Sequence, residues 1–343
     1  MSKSFSLLVL PLLAVALVAC ATSIPVTVTK PAEVNMTGNR VIAVLDFRYP
    51  EKDKALTARD LFEWAVSRLI GVDLPRELST EGRVADHTTA LVITTLLNTG
   101  YFELVSPQEV ARAMRGSLSV GTTAVDIGKA VGAQGIISGE LYLLDSNDRH
   151  WVDTRKVKDP KTGVEVKQAV PMVTREAWVG MTYQVVNTAT GAIVASRSFK
   201  GEDKADVEEA RRHSLPSAEQ MYKRMIDDFM PVMAKQLAPY RVRESRRLMR
   251  DKTRDPRVRE ADDLVKARLY DEALEILLQV WNRSGNTAAG FNAAIVYEIT
   301  GDLERGIEQM REVARRTGER RAIREYNRLL VARREQERLR AQL

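Results

Sequence analysis

Two periods of apolar residues alternate along the chain. Residues 40–47 (RVIAVLDF) form an almost unbroken β-branched run, which predicts a strand covered on both faces. In residues 51–85, Leu61, Trp64, Ala65, Leu69 and Ile70 fall at helical spacing. Residues 88–98 (TTALVITTLLN) read as a buried helix with Gly100 as its cap. A short strand at 101–105 leads into Ser106-Pro107-Gln108-Glu109. Serine as N-cap, proline in the first turn and glutamate at N3 together open the next helix, which runs to about Met114. A further helix is expected at 123–131 and strands at 135–144, 177–187 and 192–200, the last two joined by Thr188-Ala189-Thr190-Gly191. Residues 145–176 form an excursion between strands, centred on the turn signal Asp159-Pro160-Lys161-Thr162-Gly163. A helix over 216–237 closes the region. The order mixes parallel crossovers with an antiparallel hairpin and predicts an α/β fold, a mixed sheet with flanking helices.

Beyond residue 255 the period is helical throughout, and the sequence repeats. Ala261, Leu264, Tyr270, Ala273, Leu277 and Val280 align with Ala294, Tyr297, Leu303, Gly306, Met310 and Val313 at a constant offset of 33. The pattern resembles tetratricopeptide repeats, with departures: Arg268 stands where glycine is usual, Gly306 where alanine is usual, and the terminal proline is absent. The resemblance implies an all-α repeat unit over 255–343, closed by a capping helix from residue 319 to about 340, whose groove takes an extended peptide or a helix. A helical bundle that merely stabilises the first domain is the other reading. Residues 241–254 (RVRESRRLMRDKTR) form a basic linker. They continue the preceding helix into solvent, or they form a patch for anionic headgroups or cell-wall polymer.

The amino terminus, MSKSFSLLVLPLLAVALVAC, has Lys3 as its positive start and an apolar stretch over 7–18 too short for a permanent span. Leu17-Val18-Ala19-Cys20 resembles the bacterial lipobox. The resemblance implies a lipoprotein signal peptide over 1–19, and acylation of Cys20 with palmitate-type chains that anchor the protein stably. Residues 20–37 then form a lipidated tether, although the alternation of Ile24, Val26 and Val28 also allows a short edge strand. Ala21 after the cysteine leans toward the outer membrane, with the protein facing the periplasm.

Charge and composition narrow the chemistry. Lys and Arg number 52 and Asp and Glu 46, a formal net charge of +6, a mild excess that does not make a nucleic-acid binder without a focused basic face, and for an exported lipoprotein no nucleic-acid partner is expected. The single cysteine excludes an intrachain disulfide and a cysteine zinc cage. His87, His150 and His213 are scattered, and no nucleophile elbow, phosphate loop or dinucleotide turn is present. The expectation is a protein that is not an enzyme, with no catalytic or metal residues and no cofactor besides the covalent lipid on Cys20.

Four segments, VIAVLDF (41–47), ALVITTLLNTGYFELVSPQEVARAM (90–114), VGAQGIISGELYLL (131–144) and VGMTYQVVNTATGAIVASRSFKG (179–201), resemble the curli-secretion lipoprotein family (CsgG/HfaB-like). The resemblance implies a CsgG-like α/β domain, related to the TolB N-terminal fold, over 38–240. It also brings two possible jobs, subunit of an outer-membrane secretion channel or activator of a peptidoglycan synthase. A curli-type channel needs two membrane-crossing hairpins per subunit, each strand with an apolar face of ~9–11 residues. The excursion carries Arg149, Asp153, Arg155, Lys156 and Lys158 on its outgoing arm, and residues 200–215 are dense in charge. The expected role is therefore a periplasmic scaffold or assembly factor that binds envelope proteins or forms a homo-oligomer. The candidate contacts are Trp151, Val164 and Val166 on the excursion, Arg246 and Arg247 in the basic stretch, and Tyr297 on the repeats. A solvated flap without partners is the other reading of the excursion. Cys20→Ala is expected to move the folded protein from the membrane to the soluble periplasmic fraction. Retention as firm as wild type would mean that the body itself inserts.

Overall fold

The computed structural model describes residues 23–49, 79–116, 123–158 and 163–343. They fall into two compact units, one made of the described residues up to Val28 with Arg241–Glu337, the other of Thr29–Tyr240 with Arg338–Leu343. The helical pattern at 51–78, the signal peptide and Cys20 lie outside the described residues.

The first described strand is β1 (Ser23–Lys30), where the tether was expected. The α/β unit then builds a five-stranded sheet from β2 (Val41–Val44), β3 (Glu103–Leu104), β4 (Gly135–Lys158), β5 (Glu165–Asn187) and β6 (Ile193–Glu208), in the order β3-β2-β4-β5-β6. β2 runs parallel to β3 and β4, whereas β4, β5 and β6 are antiparallel. This is the mixed sheet that the element order predicted. Among the described residues, four α-helices accompany it, α1 (Thr80–Asn98), α2 (Pro107–Gly116), α3 (Ala124–Ala130) and α4 (Ala218–Leu237), with a short 3-10 turn at Glu209–Ser214.

Local chemistry sets the helix starts. Ser106 Oγ accepts the Glu109 amide at 3.3 Å ahead of α2. Thr123 with Asp126 and Ser217 with Gln220 form capping boxes ahead of α3 and α4. α1 begins at Thr80, capped by Ser79, rather than at 88. Its first turns are too polar to show a helical apolar period, and the hydroxyls of Thr88 and Thr89 are absorbed by the carbonyls of Val84 and Ala85.

The core lies where α1 and α4 cover one face of the sheet. Val84, Val92 and Leu96 from α1 and Met221, Ile226 and Met233 from α4 belong to one cluster with Val179, Met181, Tyr183 and Val185 of β5. A smaller cluster of Ala43, Val110, Ala133 and Ile136 involves the region of α2 and α3. Burial raises the Tyr183 phenol above its ordinary range, and its hydroxyl donates to Gln236 Oε1 at 2.6 Å. The unit is closed by residues from far apart in sequence. The Ala32 amide donates to Gln342 Oε1 (2.8 Å), Gln342 Nε2 donates to the Ala32 carbonyl (3.1 Å), and the Tyr101 hydroxyl donates to the Gln342 carbonyl (2.7 Å).

Three strands are longer than their apolar pattern. β4 continues from 144 to Lys158, β5 begins at Glu165 rather than 177, and β6 runs on from 200 to Glu208. The added residues mix many charged side chains with scattered apolar ones, and a strand needs a partner ladder rather than a core on both faces. Opposed charges supply cross-strand pairs there: Arg175 with Asp148, Lys204 with Glu176, Arg155 with Glu208.

In the other unit, β7 (Tyr240–Arg247) pairs with β1. This corrects the expectation that 241–254 continues the preceding helix. α4 stops at Leu237 because Ala238 is extended (φ −132°, ψ 147°). Helices α5 (Pro256–Lys266), α6 (Tyr270–Ser284), α7 (Thr287–Ile299), α8 (Leu303–Thr317) and α9 (Arg320–Arg340) follow. The repeat positions are equivalent in packing, since Ala261 and Ala294, Leu277 and Met310, and Val280 and Val313 are all buried. Arg268 and Gly301, also 33 residues apart, both adopt left-handed backbone, with φ 65° and φ 94°. Glycine suits that conformation and arginine is strained in it. Arg268→Gly is accordingly expected to raise the unfolding free energy of the helical unit by about 1 kcal/mol in urea titrations, and a loss of stability would contradict this reading.

Candidate partner-binding surfaces

In the α/β unit the ladder of β4 and β5 outruns β6. Met172 of β5 opposes Glu208, the last residue of β6, so the pairs from Val152↔Pro171 to Lys158↔Glu165 form a two-stranded tip. Residues paired directly across antiparallel strands share a face. The register Trp151↔Met172, Asp153↔Val170, Arg155↔Gln168 and Val157↔Val166 therefore places Trp151, Val157, Val166, Val170 and Met172 on one strip. The charges on this strip are internally satisfied. Arg155 donates to Asp153 Oδ2 at 2.8 Å and to Glu208 Oε1 at 2.7 Å. The opposite face carries His150, Thr154, Lys156, Lys158, Glu165 and Lys167, with Val152 exposed across from Pro171.

Trp151 is fixed by a chain of hydrogen bonds across all three strands. Its indole Nε1–H donates to Thr174 Oγ1 (2.8 Å), and the Thr174 hydroxyl donates to Asp206 Oδ1 (2.6 Å). The Arg149 guanidinium lies 5.9 Å from the ring centroid. One rung below, Arg175 makes a two-pronged pair with Asp148 (2.7 and 2.8 Å) and donates to the Pro216 carbonyl (2.8 Å). Arg175 first, with help from Arg212, holds the Asp148 carboxyl below its usual range. The tip thus extends from a fastened root. Val166 is 43% exposed and Val164, just outside the paired strand, is 60% exposed. Sequence reasoning named Trp151, Val164 and Val166 as candidate contacts on this excursion, and not Val157, Val170 or Met172. Only the cross-strand register joins the two sets.

In the helical unit, Arg246 is no partner contact. It is 6% exposed and donates to Glu298 Oε1 (2.9 Å) and Glu244 Oε2 (2.8 Å), while Arg328 also binds Glu298. The alternating burial of β7 turns Arg246 inward and leaves Arg247 exposed. Tyr297 is half-buried, and its carbonyl accepts the Asp302 amide at 2.8 Å.

Residues 246–251 lie on one face of the helices, held by α7 and α9. Asn292 of α7, fully buried, reads the backbone of Met249 from both sides: its Oδ1 accepts the Met249 amide (2.6 Å) and its Nδ2 donates to the Met249 carbonyl (3.1 Å). Arg321 of α9 donates to the carbonyls of Arg247 (2.7 Å) and Leu248 (3.2 Å), and Leu248 itself is buried. Asp262 of α5 braces Asn292, accepting from its Nδ2 at 3.0 Å. Sequence reasoning missed Asn292, Arg321 and Asp262. The one available signal was a polar Asn inside the apolar run of α7. Among the described residues no group of three His, Cys, Asp or Glu is placed to hold a metal, and no helix is long and apolar enough to cross a membrane.

No protein-family model matches the chain, and no curated protein matches it. Solved structures do match. The PelC dodecamer from Paraburkholderia phytofirmans is 14% identical, covering 63% of this chain and 99% of that one, with a TM-score of 0.24. The LpoB C-terminal domain from Salmonella enterica is 18% identical over 48% and 82%, with a TM-score of 0.25. Lipoprotein GNA1162 from Neisseria meningitidis is 6% identical over 57% and 97%, with a TM-score of 0.23. Likeness at this level decides neither family nor function, and it shows neither the curli-secretion family nor tetratricopeptide repeats.

Burial pushes the Asp262 carboxyl up to about 6 from its ordinary 3.8, with the Asn292 hydrogen bond pulling the other way. An acid with a raised folded pKa is uncharged in both states below about 4. It costs stability progressively between about 4 and 6, and fully above that. Asp262→Asn keeps an acceptor for Asn292 and removes the cost. The variant is expected to exceed wild type by on the order of 2 kcal/mol at pH 7.5 and to converge with it below pH 4. Urea titrations across this range read the difference, and a constant gap at all pH values would exclude Asp262 as its source.

Proposed function

We propose that the protein is a non-enzymatic scaffold of the bacterial envelope, held by a lipid on Cys20 and facing the periplasm. It binds envelope protein partners, or a second copy of itself, through the tip of the β4–β5 hairpin. The observation that carries this is the strip of Trp151, Val157, Val166 and Val170, with Met172 buried at its base, on a projecting sheet with a fastened root. A rigid aromatic anchor beside aliphatic side chains, with its neighbouring charges already paired, is a composition suited to a protein interface. The repeat-like helices serve mainly to hold residues 246–251, so their inner face is spoken for, and recruitment falls to the hairpin.

A curli-type channel is disfavoured by the same register. One face of the tip has Lys156, Lys158, Glu165 and Lys167, and the other has Asp153, Arg155 and Gln168. Lipid tolerates neither over the ~9–11 residues of a crossing strand. Activation of a peptidoglycan synthase shares the scaffold's physics and differs only in the partner. We read the described surfaces as calling for neither a cofactor nor catalytic side chains.

A photoreactive residue at Val166 is expected to crosslink in intact envelopes to one discrete partner or to a second copy, whereas one at Gln184, on the inner part of β5, is not. Val170→Asp should reduce the Val166 crosslink at least tenfold without changing thermal unfolding. Equal crosslinking from both positions, or indifference to Val170→Asp, would overturn the hairpin as the docking element.

A further inference from the structure

The two-stranded sheet of β1 and β7 presents two chemically opposite faces. Burial alternates along both strands, so Ile24, Val26 and Val28 turn inward with Val242, Glu244 and Arg246. Ser23, Pro25 and Thr27 turn outward with Arg241, Arg243, Ser245 and Arg247. The outward face thus carries three arginines and no carboxylate. Exposed Arg250, Lys252 and Arg254 follow in the next loop, and exposed Arg320 and Arg324 open α9.

The nearby acids are already engaged elsewhere. Glu244 faces inward to Arg246, Asp251 accepts the Thr253 and Asp255 amides, and Asp255 pairs with Arg257. The surplus is felt by a neighbour: Arg321 is pushed below the usual guanidinium range chiefly by burial, with Arg247 and Arg324 adding to it against the pull of Glu325. Ordinary solvated arginines elsewhere on this chain, such as Arg305 and Arg311, have carboxylates beside them. Among the described residues, the outward arginines of β7 have none.

The chain itself indicates what lies opposite. Only Ala21 and Thr22 separate Cys20 from β1. Fully extended, that link spans about 10 Å. This is about one Debye length at physiological salt, the range over which a charged surface attracts. With Cys20 acylated, β1 and its neighbour β7 stay within reach of the headgroups.

We infer that the outward face of the β1–β7 sheet, through Arg241, Arg243 and Arg247, docks on the anionic phospholipid headgroups of the membrane that holds the anchor. The choice of membrane rests on the lipoprotein reading above, whereas the charge pattern does not. Acyl chains and a basic face together make a two-signal attachment, in which the arginines orient what the lipid merely retains.

The test uses the unacylated Cys20→Ala chain in sedimentation with vesicles. It is expected to bind phosphatidylethanolamine–phosphatidylglycerol vesicles and not phosphatidylcholine vesicles, with affinity that falls steeply as salt rises. Each arginine near such a surface contributes about fivefold. The triple variant Arg241→Ser, Arg243→Ser, Arg247→Ser should therefore lose about a hundredfold. Arg305→Ser, Arg311→Ser, Arg315→Ser on α8, which removes the same charge, should lose little. Equal losses in both triples, no vesicle binding by the parent, or capture by purified peptidoglycan in place of vesicles would each overturn the inference. The mass of the wild-type chain tests acylation separately. An unmodified Cys20 alongside arginine-dependent binding would remove the lipoprotein reading and leave the docking face standing.

Discussion

The antiparallel pairing of β4 with β5 is the constraint on which the α/β unit depends. The ladder begins at Gly135↔Asn187 inside the sheet and ends at Lys158↔Glu165 well beyond the helices' main cluster. Its inner half is stabilised by burial, with Val179, Met181, Tyr183 and Val185 pressed against α1 and α4. Its outer half has no such support. Backbone hydrogen bonds contribute only about 1 kcal/mol each net of water, so the outer strands rely on a register already set below and on cross-strand pairs that keep it. The Asp148–Arg175 pair and the relay from Trp151 through Thr174 to Asp206 stand where β6 still offers a third strand. Past Glu208 only two strands continue, and the side chains of 163–169 are all exposed.

The helical unit follows another logic. Its buried polar groups are matched rather than avoided: Arg246 between Glu244 and Glu298, Asn292 against both backbone groups of Met249, and Asp262 behind Asn292. Such groups gain little over apolar replacements in stability, and what they supply is a single accepted register for the segment they bind. A slip of one residue in β7 would expose Arg246, bury Arg247 and orphan Asn292. The same alternation that brings Arg246 to its acids sends Arg241, Arg243 and Arg247 to the outside.

Much of this architecture was legible from residue patterns, and the failures among the strands share one cause. Helix starts with capping chemistry, such as Ser106 to Glu109, and turns such as Asn187 to Gly191 are encoded within a few residues. Positions 33 residues apart, such as Ala261 and Ala294 or Val280 and Val313, match in burial. What could not be read was whatever depends on a distant strand. The outer parts of β4 and β6 are dense in charge, and on β5 the alternation of Val166, Val170 and Met172 is interrupted by Gln168, so the pattern does not mark how far the strands run. The strand at 240–247 looks like a charged helix until β1 is known to lie beside it. Arg246 and Arg247 are adjacent and chemically identical, and only pairing decides which one is buried. In the hairpin Trp151 and Val166 were in view, but their union with Val157, Val170 and Met172 needed the register.

Gln342 gives the α/β unit an unusual order of assembly. Its side chain satisfies both the amide and the carbonyl of Ala32, and its carbonyl receives the Tyr101 hydroxyl. The first of these contacts joins residues separated by 310 positions, and the whole helical unit intervenes in sequence. Closing so long a loop is entropically unfavourable and must come late. The sheet can form earlier, but its seal waits for Gln342 to reach Ala32 and Tyr101.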